Sequence, residues 1–296
     1  MRERIDRIEA LIQQEVGRGA AAIFHATKGG LWGAVSALAE TPPRHIAILT
    51  GFYVPRALPP AAETDGPAGA ALLALALSRI GIPSRLLTDE VCRSACAAAL
   101  AGAGLTDVPI DAVAHDADLN DVAAALRSHG VDWMIAIERC GLSVDGRPRN
   151  MRGEDIGPHA APLDHVFTAG PWRTIAIGDG GNEVGMGLLP AGLIAREVPL
   201  GGIIACVTAA DHLITAGVSH WGVYALIAGL AARVPKWRET LLGCLDPVLE
   251  QTILRTLVLN GPAVDGVTLE RSLTIDAFDL SVHRAKLDLV RALVAD

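Results

Sequence analysis

Acidic and amide side chains lie among glycines in the segment IGDGGNEVGMG, residues 177–187, directly after the apolar run WRTIA. A turn needs only one or two glycines, and each further glycine costs about 0.5–1 kcal/mol of backbone entropy relative to alanine. The glycine-rich segment therefore indicates a backbone that approaches another group closely, with oxygens of Asp179, Asn182 and Glu183 available to that group. The alternative is an ordinary turn leading into a short helix, in which Asp and Asn satisfy nearby backbone groups.

The spacing of these glycines matches neither familiar phosphate-binding loop. The dinucleotide pattern G-x-G-x-x-G requires glycine at position 183, which is glutamate. The nucleotide-triphosphate loop requires lysine and then serine or threonine, where this chain has Met186 and Gly187. Carboxylates in such a loop would repel phosphate unless a metal ion stood between them.

Carboxylates also follow other apolar runs of the chain. In an open parallel sheet, ligands bind in the crevice outside the carboxyl ends of the strands, so residues that follow separate strands meet there. Carboxylates brought together in this way repel one another unless a cation joins them. The sequence has no H-E-x-x-H motif, which favours a hard ion with oxygen ligands, Mg²⁺ or Mn²⁺, over zinc. The acidic residues that follow the apolar runs include Glu63, Asp65, Asp89, Glu138 and Asp179.

Each of these acidic positions also has a purely structural interpretation. Asp65 precedes a Gly-Pro pair and suits the N-cap of a helix. Glu138 ends a strongly apolar run, where a buried carboxylate needs a partner, and either Arg139 or a metal would serve. Glu183 would be favoured in the first turn of a helix by the helix dipole.

Short apolar runs alternate with alanine-rich helical stretches, which is typical of βα units. We therefore predict a three-layer α/β fold in which a mostly parallel, Rossmann-like sheet has helices on both faces. No clear linker divides the chain, so we expect a single domain over residues 1–296, with an N-terminal helix at 1–17 and a C-terminal segment at 260–296 packed on it. The predicted strands are HIAILTGF (45–52), PSRLLTD (83–89), PIDAV (109–113), DWMIAIE (132–138), WRTIAIG (172–178) and GIIACVT (202–208). The predicted helices lie near 67–80, 90–102, 119–129, 182–188, 219–233 and 237–258.

Charge and composition exclude several classes of protein. The net charge is −8, and no lysine- or arginine-rich run with interleaved aromatic residues is present, so a nucleic-acid partner is not expected. The five cysteines are an odd number without a C-x-x-C pair, which indicates reduced thiols in a cytosol. The sequence has no apolar run of about 18 residues and no apolar signal core at its start, so we expect a cytoplasmic protein without a membrane segment.

Several separated strings resemble the D-glutamate cyclase family, and they occur in order over nearly the whole chain. The strongest single string is the glycine-rich segment 177–187. The strings are TGFYVP (50–55), ETDGPAGA (63–70), IERCG (137–141), NMRGEDI (150–156), APLDHVF (161–167), IGDGGNEVGMG (177–187), AGVSHWGVYAL (216–226) and VDGVT (264–268).

The resemblance implies a lyase that closes D-glutamate to 5-oxo-D-proline with loss of water, as the α-amine attacks the γ-carboxyl group. A divalent metal would then stabilise negative charge on oxygen, with help from backbone N–H groups of residues 178–187. The predicted metal ligands are Glu63, Asp65, Glu138 and Asp179. Glu183 is the expected proton-transfer residue, with Asp179 and Asn182 as further catalytic residues. The expected substrate-binding residues are Arg139, Arg152, Thr64, Gly180, Gly181 and Ser219.

Two other functions fit the same residues. A metal-dependent phosphatase or related hydrolase would also use an acidic cluster with a divalent ion and a glycine-rich loop. A metabolite-binding domain would bind the ligand without turnover. The expected partner is a small-molecule substrate, D-glutamate or a similar amino acid, and a homo-oligomer is compatible with the sequence.

Overall fold

The protein is described here by a computed structural model, which covers residues 1–295. Ten strands and thirteen α-helices follow one another along the described chain. The strands are β1 (Ile46–Thr50), β2 (Tyr53–Val54), β3 (Ala61–Ala62), β4 (Ser84–Asp89), β5 (Ile110–Val113), β6 (Trp133–Ile137), β7 (Arg173–Gly178), β8 (His212–Thr215), β9 (Thr274–Ile275) and β10 (Phe278–Asp279). The helices are α1 (Arg2–Ile12), α2 (Ala21–Ala26), α3 (Gly30–Glu40), α4 (Pro67–Arg79), α5 (Arg93–Gly102), α6 (Leu119–Ser128), α7 (Asp164–Ala169), α8 (Leu193–Glu197), α9 (Gly201–Ile204), α10 (Ser219–Arg233), α11 (Arg238–Cys244), α12 (Pro247–Asn260) and α13 (Leu280–Ala295).

Six of the strands form one parallel sheet in the order β5-β4-β1-β6-β7-β8. This is the strand order of the Rossmann fold, and the predicted three-layer α/β class is confirmed. The direction of strand addition reverses between β1 and β6. A crevice forms at such a reversal outside the carboxyl ends of the strands, so the residues that follow β1 and β6 are placed for ligand binding.

The sheet separates two hydrophobic cores because successive side chains of a strand point to opposite faces. In β1, Ile46 and Ile48 pack with helices α1, α3, α4, α10 and α13. Ala47 and Leu49 of the same strand pack on the other face with α6, α7 and α8. Helix α10 is buried from Ser219 to Ala231, and its first turn reaches the carboxyl edge of the sheet.

Two predicted elements are wrong. Residues 202–208 are not a strand, because Gly201–Ile204 form α9 and the sixth strand is the shorter β8. A short apolar run does not distinguish a buried strand from a buried helix. Residues 182–188 are not a helix either, because Gly185 has φ +101° and the N–H groups of Gly185 and Gly187 donate to the carbonyl oxygen of Thr208.

Other boundaries differ by a few residues. The first helix ends at Ile12 rather than near residue 17, and the stretch predicted as one helix at 237–258 is divided into α11 and α12. The predicted helices near 67–80, 119–129 and 219–233 are confirmed as α4, α6 and α10. All five cysteines are buried free thiols, as the sequence predicts.

The two ends of the described chain meet beside the sheet. Helix α1 packs on α10 and α13, and the β9–β10 hairpin precedes α13. Within residues 1–295, no helix combines the length and the apolar character that crossing a membrane requires.

Candidate active site

A cavity of about 270 Å³ lies beyond the ends of β1, β6 and β7. Phe52, Tyr53, Val54 and Met151 give it an apolar wall. The polar wall is dominated by acids, with two arginines. These polar residues are Arg18, Glu63, Glu138, Asn150, Arg152, Asp179, Asn182 and Asp276.

Three buried carboxylates converge at the base of this region. One oxygen each from Asp65, Glu138 and Asp179 lies within 4.8 Å of the other two. Asp65 lies between β3 and α4, whereas Glu138 follows β6 and Asp179 follows β7. The structure thus brings together three of the four predicted ligands, which we call the carboxylate cluster. Glu63 is outside this group of three and lines the cavity instead.

The carboxylate cluster is costly in the absence of a cation. Within residues 1–295, Asp65 Oδ2 and Glu138 Oε2 are buried without a hydrogen-bond partner, and such burial of polar oxygens is unfavourable. Glu138 also has φ +43°, in the left-handed region, which costs about 1–3 kcal/mol for a residue with a side chain. Oxygen ligands with unused lone pairs, held on a strained strand end, fit a hard divalent ion such as Mg²⁺ or Mn²⁺.

Burial and mutual repulsion raise the pKa values of these acids. Burial and then Asp179 raise the pKa of Asp65 to about 6. Burial is also the largest cause that raises the pKa values of Glu63, Glu138 and Asp276 well above their usual range. The folded protein therefore favours either protons or a metal ion at this site, because each reduces the repulsion among the carboxylates.

We expect Glu138→Gln to stabilise the metal-free protein at alkaline pH. The pKa of Glu138 is raised in the folded state, so the charged form costs stability as pH rises from the ordinary value of 4.5 through the raised pKa. Glutamine resembles the neutral carboxyl, so a gain of about 1 kcal/mol is expected near pH 8 and should vanish at acidic pH. Urea unfolding in the presence of a chelator measures this difference, and a lower midpoint for Glu138→Gln near pH 8 would contradict it.

Glu183 organises the glycine-rich segment from inside. Its Oε1 accepts the backbone N–H groups of Asp179 (3.1 Å) and Gly180 (2.7 Å), and its Oε2 accepts that of Gly181 (2.7 Å). The side chain is 1% exposed, and burial together with Asp179 raises its pKa to about 7. These three N–H groups are therefore not free to bind an oxyanion or a phosphate. Glu183 is absent from the described residues that line the cavity, which favours a positioning role over the proton transfer that the sequence predicts.

The glycines of this segment serve backbone geometry and close packing. Gly181 has φ +103°, and a Cβ atom at Gly185 would overlap Ala176 of β7. The tight turn that results presents Asp179 and Asn182 to the cavity. Asn182 donates from Nδ2 to the carbonyl oxygen of Arg149 (2.9 Å) and so ties the turn to the polar segment after β6.

Arg139, which the sequence predicts as a substrate-binding residue, is engaged away from the cavity. It forms a buried ion pair with Asp89, and Nη2 also donates to the carbonyl oxygen of Ala161 (2.7 Å). Nη1 donates to the carbonyl oxygen of Gly51 (3.0 Å). With these partners Arg139 does not neutralise Glu138, which leaves that carboxylate open to a cation.

Of the other predicted substrate-binding residues, Arg152 lines the cavity, whereas Thr64 and Ser219 hold neighbouring parts of the structure in place. Arg152 lines the cavity and is exposed, with Nη2 donating to the carbonyl oxygen of Val267 (3.2 Å). Thr64 is buried and donates to the carbonyl oxygen of Thr274 (2.9 Å), so it supports the wall rather than reaching the cavity. Ser219, at the start of α10, donates its backbone N–H to Asp179 Oδ2 (3.0 Å) and fixes that carboxylate near a helix N-terminus.

Two charged residues of the cavity wall, Arg18 and Asp276, were not predicted from the sequence. Arg18, in the loop between α1 and α2, forms ion pairs with Asp179 and with Asp276 (2.6 Å to the latter). Asp276 lies in the turn between β9 and β10 with φ +55°. The only sequence signal for Arg18 is its place between two glycines, and Asp276 lacks the following glycine that marks a tight hairpin turn.

Comparison with known proteins finds a family match that includes the residues of this site. A family model described as "D-glutamate cyclase-like, C-terminal" matches residues 8–291. This chain belongs to the D-glutamate cyclase-like family. The family match takes in the glycine-rich segment, the carboxylate cluster and both arginines of the cavity wall.

The human protein "D-glutamate cyclase, mitochondrial" is a relative of this chain. It is 32% identical over 202 residues, an alignment that covers 63% of this chain and 32% of the human protein. The matched region thus spans about a third of that relative. The resemblance to the D-glutamate cyclase family that the sequence indicated is confirmed.

Proposed function

We propose that this chain is a hydro-lyase that cyclises D-glutamate to 5-oxo-D-proline with loss of water, assisted by Mg²⁺ or Mn²⁺. Membership of the D-glutamate cyclase-like family supports the reaction class. The observation that carries the proposal is a small cavity with buried carboxylates at its base, two of which keep unpartnered oxygens. The reaction forms the bond between the α-nitrogen and the carbon of the γ-carboxyl group, Cδ, breaks one C–O bond of that carboxyl group, and releases its oxygen as water.

Arg152 and the apolar wall of the cavity would orient the substrate. Arg152 is exposed at the cavity and can place its guanidinium against the α-carboxylate, a pairing that arginine makes with two hydrogen bonds. Phe52 and Met151 offer apolar surface to the two methylene groups of glutamate. Holding both ends of the substrate favours the folded conformation in which amine and γ-carboxyl meet.

Glu63 is the residue best placed to accept a proton from the substrate ammonium group. It lines the cavity, and burial followed by repulsion from Asp65 and Asp179 raises its pKa well above the usual range. A raised pKa makes the ionised carboxylate a stronger base, so this shift favours its accepting a proton from the ammonium group. The nitrogen loses a second proton as the C–N bond forms. Glu63 can pass both protons in turn to the departing oxygen, which leaves as water.

Asp65, Glu138 and Asp179 would hold the divalent ion. When bound, the ion supplies Lewis acidity that polarises the γ-carboxyl group and stabilises negative charge on its oxygen. The protein's own contribution is to keep the three ligands close and fixed. The N–H group of Ser219 and the turn anchored by Glu183 do this for Asp179.

The phosphatase alternative has less support from the geometry. A phosphate needs free donors, and the three N–H groups of the glycine-rich segment are occupied by Glu183. A binding domain without turnover remains as an outcome of the assay. Cytoplasmic location and self-association stay predictions from the sequence.

Incubation with each glutamate enantiomer tests the proposal. The chelated protein is supplied with Mn²⁺ or Mg²⁺, and products are read by mass spectrometry, with a generic phosphate ester assayed in parallel for phosphate release. We expect 5-oxoproline from D-glutamate and little from L-glutamate. Phosphate release without cyclisation would replace the proposal with the hydrolase, and ligand-induced stabilisation without any product would replace it with the binding domain.

A further inference from the structure

The loop between α1 and α2 carries Arg18 into the cavity on a rigid frame. Glu15 accepts the backbone N–H groups of Gly17 (2.8 Å), Arg18 (2.8 Å) and Gly19 (3.2 Å) at Oε1, and that of Ala21 (3.0 Å) at Oε2. The loop is therefore wound around one carboxylate on the surface. Its arginine side chain is 18% exposed and points inward to the cavity wall.

Inside the cavity, Arg18 is the cation that the carboxylate cluster holds. It pairs with Asp179 Oδ1 and with Asp276 Oδ2. The attraction of Asp179, Asp276 and Glu138 raises the pKa of Arg18 further, so it stays charged. The other basic residue of the wall, Arg152, lies at the exposed end of the cavity and bonds to backbone carbonyl oxygens.

The Asp179 carboxylate is therefore shared between two roles, as the ion-pair partner of Arg18 and as a member of the carboxylate cluster. Its Oδ2 is held by the N–H group of Ser219, and its Oδ1 is held by Arg18. It is also one of the three acids whose oxygens converge. A divalent ion at this point would lie beside a guanidinium in a region largely removed from water, where like charges repel strongly.

We propose that Arg18 and a divalent cation compete for Asp179. Metal binding would break the ion pair between Arg18 and Asp179 and turn the guanidinium toward the cavity, while the ion pair with Asp276 remains. The released guanidinium then faces an anionic group of the substrate. The inference rests on the metal site of the proposed function. It adds that the Arg18 guanidinium neutralises part of this site when no metal ion is bound. Arg18 then weakens metal binding and serves as a specificity residue for an anionic substrate.

Calorimetric titration of Mn²⁺ into the chelated full chain tests this competition without reference to turnover. Arg18→Gln removes the competing charge and should bind Mn²⁺ at least about tenfold more tightly than the unaltered protein. Glu15→Ala keeps the charge but removes the loop's internal acceptor, and it should tighten binding by a smaller factor of about two to five. The matched control is Arg44→Gln, which removes an exposed arginine paired with Asp132 and should leave Mn²⁺ affinity unchanged.

The Mn²⁺ affinities of these variants decide whether Arg18 competes with the metal ion. Unchanged or weaker Mn²⁺ binding by Arg18→Gln overturns it, as does the absence of Mn²⁺ binding by both proteins. If Arg18→Gln does not fold, Glu15→Ala decides by the same criterion, because Glu15 is exposed and outside the cores. Failure of the proposed function is seen separately: the unaltered protein would bind Mn²⁺, and Arg18→Gln would bind it more tightly, yet D-glutamate would not be cyclised.

Discussion

Asp65→Asn is expected to lower kcat with D-glutamate about 10³-fold and to weaken Mn²⁺ binding at least about tenfold. Asp65 contributes the unpartnered Oδ2 of the carboxylate cluster, and asparagine replaces a charged ligand with a neutral amide. The fold should survive, because Asn can still accept the N–H group of Gly66, the bond that Asp65 Oδ1 makes at 2.7 Å. Turnover and Mn²⁺ calorimetry on the same preparation measure both effects.

The control for Asp65→Asn is the same change at an exposed site. Asp121→Asn, in α6, alters an exposed carboxylate and should leave turnover and Mn²⁺ affinity unchanged. In chelator, Asp65→Asn should be at least as stable as the unaltered protein, because one of several mutually repelling buried charges is removed. Normal turnover by Asp65→Asn would remove Asp65 from the site.

Glu183→Ala is expected to destabilise the protein by about 3 kcal/mol or more. The substitution leaves three backbone N–H groups without their acceptor, and hydrogen bonds to a charged group contribute about 1.5–3 kcal/mol each. Glu183→Gln should cost less, because its remaining oxygen can still accept from Asp179 and Gly180 while its amide faces the N–H group of Gly181. Both variants should weaken Mn²⁺ binding, since the turn that presents Asp179 is loosened.

Urea unfolding of both Glu183 variants, together with Mn²⁺ titration, tests this ranking. Glu197→Ala in α8 changes an exposed glutamate and is the control. A direct acid–base role makes a different prediction, in which Glu183→Gln keeps its stability and its metal and loses only turnover. That pattern would show that the positioning role is wrong.

The sheet was largely predictable because its strands are apolar on both faces. β1, β4, β6 and β7 are almost entirely buried, and each ends in a polar residue or is directly followed by one. The parallel arrangement follows from the helices between them. The sixth strand was misplaced because β8 is short and begins with a histidine, whereas the apolar residues 202–207 lie in α9 and the turn after it. Local pattern alone does not decide between these two arrangements.

The site was predictable where it depends on strand ends and not where it depends on loops. Glu138 and Asp179 directly follow neighbouring strands, so their convergence follows from the sheet. Arg18 and Asp276 reach the same cavity from opposite ends of the chain, and only tertiary packing brings them there. The sequence likewise could not show that Arg139 is committed to Asp89, because that pair joins residues 50 positions apart.

Formation of 5-oxoproline from D-glutamate, measured while Mn²⁺ is titrated into the chelated protein, tests the central claim most directly. The claim is that the ion held by Asp65, Glu138 and Asp179 makes this cavity a cyclase. We predict no product in chelator, a product rate that rises in proportion to bound Mn²⁺, and saturation at one ion per chain. A product rate that is unchanged by chelation, or the absence of product at saturating Mn²⁺, would contradict it.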